Sequence, residues 1–472
     1  MNRRRSYHHD RRSSGGGLLP KVLLGLVALA GLFLAARGAL RAGGPPEIVI
    51  EPAKKAIGPR TAVQVKAAEP GRGLSHVKVE LIQGKRTETL YEKSYTPSSA
   101  WSFGGGVTSS DDVRFEVGRD VQKNLKQEPV TIRVTADRAP SWLRHPEPVV
   151  REITLPVRFV PPSVAVLSTF TYVNQGGCEA IVYRVGESAI KDGVQAGSWF
   201  FPGFPLPGGG KADRFAIFAV PYDLGDVSQV KLVAEDEVGN RSQATFVDKF
   251  FPRPLRRDTI KLDDGYLAKV VPPILSQSPE LTDKGNDLDN YLQINRELRR
   301  TDNAQLVEMA RSSKPQFLWT RPFQPMGSTA VMASFADRRS YVYKGRTVDT
   351  QDHLGLDLAG TSHAPVPSSN DGVVVLARFF GIYGNAVVVD HGYGLMSLYG
   401  HLSSIDVKEG AQVTRGQALG RSGDTGLAGG DHLHFAILLQ GLPVSPVEWW
   451  DGHWIQDRVA RKLGTAMNYA SR

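Results

Sequence analysis

Two evenly spaced polar signatures constrain this chain more than any other feature: His353-Leu-Gly-Leu-Asp357, and His432-Leu-His434 followed by Phe435. Side chains alternate faces along an extended strand, so this spacing predicts His353 and Asp357 on one face with Leu354, Leu356 and Leu358 on the other. His432 and His434 repeat the arrangement, with Leu433 and Phe435 turned into a core. Two imidazoles and one carboxylate, neutral or anionic near pH 7, are a three-ligand set suited to zinc with a fourth position left for water. Either signature alone says little in a chain with 11 histidines, because an isolated histidine is more often a hydrogen-bonded surface or core group than a ligand.

The intervening sequence changes the weighing. Gly381-Ile-Tyr-Gly-Asn leads through Asp390-His391-Gly to Tyr399-Gly-His401-Leu402, a glycine-rich turn spans Gly420 to Gly430, and the stretch closes on His432-Leu-His434-Phe435. Together these resemble the lysostaphin/LytM-type zinc metallopeptidases, a family of peptidoglycan endopeptidases, over about a quarter to a third of the chain, from near Phe323 to Trp450. Carried over position by position, the resemblance implies that His353, Asp357 and His434 bind Zn2+. It further implies that His401 and His432 work on the water and the scissile carbonyl, and that the domain is an antiparallel β-sheet of the LytM type (duplicated hybrid motif). The helical zincin motif His-Glu-x-x-His is absent from the sequence. His363 and His391 lie off the family's ligand positions and are expected to be structural or solvent-facing.

At the start, residues 1–20 are basic and rich in Gly and Ser, and Val22 to Ala36 is an unbroken apolar run. At ~1.5 Å per residue the run reaches ~22 Å, against a hydrocarbon core of ~30 Å. Snorkelling by Lys21 and Arg37 and extension over Leu18, Leu19, Ala39 and Leu40 narrow the gap, so a signal anchor is expected rather than a cleaved signal peptide. Arg3, Arg4, Arg5, Arg11, Arg12 and Lys21 precede the run and keep it cytoplasmic at that end. Residues 1–41 carry eight Lys or Arg and one acid, so the formal +9 leaves only +2 for everything after them. The basic balance thus reads as topology, and no nucleic-acid partner is expected.

The remainder divides by pattern. Period-two runs (Val63, Val65, Ala67; Val77, Val79, Leu81; Val130, Ile132, Val134; Ile153, Leu155, Val157, Phe159) predict an immunoglobulin-like β-sandwich over 47–161. Past Pro161-Pro162, strands at Ala180–Val185, Phe215–Val220 and Val230–Ala234 predict a second one over 162–252, with a turn at Glu235–Asn240. Gly104–Gly106 and Gly208–Gly210 lack a strand-to-helix context and read as loops. Cys178 is the single cysteine, so no intramolecular disulfide forms and a small buried hydrophobe is expected. Residues 253–316 read as a linker and helical connector, with Leu288, Leu292 and Leu298 on one side and an Asp302/Gln305 capping box opening a second helix. The peptidase domain takes 317–452. Ile455, Val459, Leu463 and Met467 predict an amphipathic helix over 453–472 that docks by its apolar face.

The fold class expected is therefore mainly β: two immunoglobulin-like sandwiches, a helical connector and a C-terminal LytM-type sheet. The resemblance implies a zinc metalloendopeptidase that cuts peptide cross-links of peptidoglycan. It would be held at the inner membrane by a single pass, with the catalytic part in the periplasm and the sandwiches available to envelope partners. Two other readings are a non-catalytic LytM-domain regulator of cell-wall amidases and an envelope adhesion or scaffold protein.

Overall fold

A computed structural model describes residues 18–40, 44–96, 108–140 and 146–470. The arginines of the basic tail (Arg3 to Arg12) and the Gly104–Gly106 run lie outside the described residues. Leu18–Leu40 is helical, and Leu23, Leu24, Leu26, Val27, Leu29, Leu32 and Phe33 along it are exposed. Among the described residues no helix is long and apolar enough to cross a membrane.

The chain forms two compact units. One runs to Val160 and takes in Glu237–Asn240; the other holds Pro161–Asp236 and everything from Arg241. In the first, a three-stranded antiparallel sheet (Glu47–Pro52, Thr61–Ala68, Ser110–Val117) and a four-stranded one (Arg86–Ser94, Leu74–Gln83, Val130–Arg138, Val149–Leu155) share one core. The alternation expected from sequence is the packing observed: Val63, Val65, Val77, Val79, Ile132 and Val134 are all buried. Each such side chain contributes roughly 1.5–3 kcal/mol relative to exposure.

The second unit begins with two four-stranded antiparallel sheets. Phe204–Pro205, Asp213–Ala219, Cys178–Val185 and Val164–Val166 form one; Trp199–Pro202, Ala189–Ala196, Val230–Asp236 and Arg241–Ala244 form the other. Their core is continuous with one face of the C-terminal sheet, carried by Leu433, Phe435, Ile437 and Leu439. That sheet has eight strands. It runs in the order Ala330–Ala333, Leu356–Ala359, Leu433–Leu439, Leu395–Leu402, Asn385–Asp390, Gly372–Phe379, Gln412–Val413, with Leu442–Val444 pairing Leu433–Leu439 as well. Its opposite face, through Ala436, Leu438, Val388 and Leu398, packs on Leu267, Val270, Ile274, Leu298 and Leu306 of the 264–311 helical segment. Cys178 is fully buried among apolar neighbours, and burial pushes its thiol well above the usual range.

The connector differs from its sequence reading in two ways. Arg257–Leu262 is a strand, added in parallel to Asp337–Tyr343, which in turn pairs with Arg346–His353. The helix expected to open at Asp302 does not start there: Asp287–Gln293 continues through a π-helical stretch, Ile294–Leu298, into Arg299–Arg311. An acid three residues before a Gln marks a cap only if the preceding turn is not helical, and burial of Ile294 and Leu298 carries the helix straight through. Asp302 instead accepts the backbone N–H of Ile382 at 2.9 Å, and burial pushes its carboxyl up to about 7. It thereby ties the connector to the loop beneath Tyr383.

At the C-terminus Ile455, Val459, Leu463 and Met467 are buried as the four-residue recurrence predicts, but the helical run Gly452–Ile455, Gln456–Ala460, Arg461–Leu463 stops at Leu463, and Met467 follows a 3-10 turn in extended backbone. Lys462 Nζ stands 3.0 Å from both the Ala180 carbonyl and Glu179 Oε1. Nearby, Glu448 accepts from the Cys178 backbone N–H and from Asn174 Nδ2, each at 2.7 Å. A Cβ at residue 177 would lie 2.3 Å from Glu448 Oε1, so any residue other than glycine there displaces this carboxylate. Glu448→Ala leaves the buried Cys178 N–H unsatisfied beside a new void, takes the acceptor from Asn174, and is expected to destabilise this unit by about 2–4 kcal/mol. Glu448→Gln should cost less, because Asn174 can rotate its amide to present oxygen. Denaturant midpoints of the two variants check the order.

Candidate metal centre and active site

The strand carrying His353 ends on it, and Asp357 belongs to the next strand, Leu356–Ala359. The continuous strand expected from His353 to Asp357 is thus broken at Leu354-Gly355. A Cβ at residue 355 would stand 2.6 Å from His434 Cε1 and 2.8 Å from the Phe435 carbonyl oxygen, so the break falls where only a glycine admits that ring. Asp357 is directly paired with His434 across the antiparallel ladder, and His434 with Gly400 on its other side. Three neighbouring strands therefore fix the site. His432 precedes the Leu433–Leu439 strand and is placed by a bridge to Gly423 in the glycine-rich turn.

Three donor atoms converge. His353 Nε2 lies 2.9 Å from Asp357 Oδ1, His434 Nδ1 lies 3.0 Å from the same oxygen, and the two ring nitrogens are 3.2 Å apart. All three residues are buried and together form a group able to hold a metal ion. His353 Nδ1 donates to the Ser334 carbonyl at 2.9 Å, which fixes the tautomer and leaves Nε2 with its lone pair towards the cluster. Three lone-pair-bearing atoms at such separations repel unless something positive lies among them. Ligand bonds of ~2.0–2.2 Å in tetrahedral geometry place donors about 3.3–3.6 Å apart, a few tenths of an ångström beyond these separations, so the set fits zinc with a small outward shift of each side chain. Burial alone would raise the Asp357 carboxyl, but the surrounding His353, His432 and His434 overcome it and hold it well below the usual range, so it stays ionised. Burial lowers His434 to about 4, keeping it neutral and able to ligate.

The other two histidines face the same point. His401 Nδ1 donates to the Thr425 carbonyl at 2.7 Å, His432 Nδ1 donates to the Gly430 carbonyl at 2.8 Å, and the rings are 4.8 Å apart. Each therefore presents Nε2; that of His432 is 3.6 Å from Asp357 Oδ1. His401 has φ of +63°, left-handed backbone that a non-glycine residue adopts at a cost of order 1–3 kcal/mol and that recurs at working sites. Burial, with His432 and His434 alongside, holds its imidazole well below the usual range, hence neutral.

Neither remaining histidine of the domain joins the cluster. His391 is fully buried with both ring nitrogens engaged, by the Asp371 carbonyl and Ser397 Oγ, and burial lowers it to about 4. His363 is largely exposed and leans on Ser403 and Asp431.

The sequence reading missed Arg339, whose Nη2 donates to Asp357 Oδ2 at 2.7 Å and so occupies the oxygen not turned to the histidines. It missed Tyr383, which packs on His434 at 5.5 Å. The connector builds one wall of this site, through Lys261, Tyr266, Tyr291 and Arg299. Dibasic Arg338-Arg339 sits in an ordinary-looking strand, and only the register against Arg346–His353 reveals where it points.

Residues 351–446 match Peptidase family M23. Over 118 residues the chain is 41% identical to the peptidoglycan DD-endopeptidase ShyA of Vibrio cholerae, covering 25% of this chain and 27% of that protein. It is 42% identical over 95 residues to the DD-carboxypeptidase/endopeptidase Mpg of Neisseria meningitidis (20% and 22% of the two chains). It is also 40% identical over 95 residues to the murein hydrolase activator EnvC of Escherichia coli (20% and 23%). The matched stretch thus spans about a quarter of the length of these relatives.

Proposed function

We propose that the M23 domain of lysostaphin/LytM type, which residues 351–446 form, makes this chain a zinc metalloendopeptidase hydrolysing peptide cross-links of bacterial peptidoglycan. The observation that carries the reading is the convergence of His353, Asp357 and His434 on one point, a complete donor set that a purely regulatory domain has no need to keep. These three residues hold the metal, and Arg339 fixes the Asp357 carboxylate so that one oxygen faces it. Zinc, when bound, supplies Lewis-acid polarisation of a carbonyl and a water whose pKa falls towards ~7. His401 and His432, each locked by a backbone carbonyl, present Nε2 to the same space. One neutral imidazole would accept the water's proton at Nε2 and pass that same proton to the leaving amine, and the other, when protonated at Nε2, would stabilise the oxyanion.

Sacculi incubated with the zinc-loaded chain should release fragments whose masses correspond to hydrolysed cross-link amides. Intact sacculi in the presence of bound zinc would overturn the reading in favour of a regulator, which would instead raise the activity of an added amidase.

The two β blocks that precede the connector are immunoglobulin-like modules in this reading, supported by their paired antiparallel sheets and alternating burial, and they offer surfaces to envelope partners. In this reading the apolar run Val22–Ala36, extended by its flanking residues, anchors the chain at the inner membrane, supported by its exposed apolar side chains and the cationic segment before it. With the catalytic part then on the far side, protease added to spheroplasts should digest the M23 domain of the full-length protein. Full protection would reverse the orientation.

A further inference from the structure

Beside the metal centre lies a half-enclosed cavity of about 310 Å³. Its far wall comes from the connector, through Lys261, Tyr266, Tyr291 and Arg299; Arg339 and Tyr341 belong to the strand next to His353. Tyr291 and Tyr341 are buried, at 1% and 7% exposure; Tyr291 meets Tyr266 edge-on and Tyr341 at a tilt. None of these three phenol groups has a hydrogen-bond partner among the described residues. Arg299 spends Nε and Nη2 on Asn295 and has no carboxylate within ion-pair distance among the described residues. Arg339 gives Nη2 to Asp357, while its buried Nε is unsatisfied.

The balance of groups is one-sided. Guanidinium, ammonium and phenol all donate, and the one carboxylate lining the cavity, Asp357, is already taken by Arg339 and the histidines. The buried Arg339 Nε costs free energy until an acceptor arrives, the other donors turn towards the open cavity, and forked guanidinium groups suit a planar anion. A deep, apolar substrate side chain would leave all of them unpaired.

We infer that this cavity is a subsite for a free carboxylate carried by the peptide next to the scissile bond, with Arg299 its principal partner and Tyr266, Tyr291 and Tyr341 completing the donor set. The inference rests on the peptidase reading and names its substrate class: acidic cross-linked peptides rather than neutral ones. It also gives the connector a part in substrate recognition besides packing. Peptidoglycan stem peptides carry such carboxylates, and amidation removes the charge while preserving shape.

The test uses the zinc-loaded full chain with two pairs of probes. The first is cross-linked peptide dimers, as free acids and after amidation. The second is N-acetyl-D-alanyl-D-alanine and its amide, followed by calorimetry. The acid should be preferred in kcat/KM and in affinity by about 10- to 100-fold. In Arg299→Gln that ratio should collapse towards one with zinc content unchanged, and Arg299→Lys should restore part of it. Tyr266→Phe, which removes only a hydroxyl and conserves packing, should lower the ratio by about 2- to 10-fold, so the inference stays testable if the arginine variant is unstable. Equal handling of acid and amide overturns it, as does a preference that survives in Arg299→Gln, since the metal alone would then account for carboxylate binding. Dimers cut regardless of amidation would leave the peptidase reading standing and sink the subsite. A peptide acid bound through Arg299 with no dimer ever cut would do the reverse.

Discussion

Elemental analysis of the purified His434→Ala protein should find essentially no zinc, where the parent chain holds about one per molecule. His434 Nδ1 is one of only three donors, 3.0 Å from Asp357 Oδ1 and 3.2 Å from His353 Nε2. Its removal leaves a single imidazole and a carboxylate, a pair that holds zinc poorly. Peptidoglycan hydrolysis should fall with the metal, by roughly 10³-fold or more, because Lewis-acid polarisation and the activated water are lost together. Chelation of the parent protein should reproduce the loss, and added zinc should reverse it there but not in the variant. A second readout is stability. Zinc binds the folded state only, so it should raise the parent's melting temperature and leave that of His434→Ala unmoved. Stoichiometric zinc in the variant would mean that His432, whose Nε2 is 3.6 Å from Asp357 Oδ1, is the true third ligand.

What made this site legible was even spacing. His353/Asp357 and His432/His434 announce themselves within five residues, and the strands that carry Asp357 and His434 pair directly, so a short-range pattern and a long-range contact agree. The β blocks were readable for the same reason: alternation of Val63, Val65 and Ala67 is a local consequence of one buried face. Arg339, Tyr383 and Arg299 left no such trace, because each reaches the site through register or packing set by segments far away in sequence. Asp302 shows the limit most directly. Its spacing to Gln305 fits a helix cap, but its partner is the Ile382 N–H, 80 residues on, and tertiary burial decides between the two. A break at Gly355 was equally hidden, since what excludes a side chain there is a ring contributed by residue 434.

His401→Ala and His432→Ala probe the other half of the chemistry, and their expected signature is the opposite of His434→Ala: zinc stays near one per chain while turnover collapses. Neither ring belongs to the trio whose donor atoms lie within 3.2 Å of one another, so neither is needed to hold the metal. Each has its Nδ1 hydrogen pinned to a carbonyl, of Thr425 or Gly430, so a catalytic role for Nε2 would need no reorganisation at the moment of reaction. Losing a positioned proton acceptor or an oxyanion donor costs roughly 10² to 10⁴ in rate, so kcat should fall by that order for either variant with KM little changed. With the rings 4.8 Å apart and acting on one water, the double variant should lose less than the product of the single losses. His401 carries an added consequence of its backbone. At φ of +63° an alanine is no better accommodated than histidine, so His401→Ala relieves no strain, whereas His401→Gly should be more stable than His401→Ala while equally inactive. A fully active His401→Ala would reduce that residue to a structural part. Loss of zinc from His401→Ala would make it a ligand and require the donor set to be redrawn around four residues.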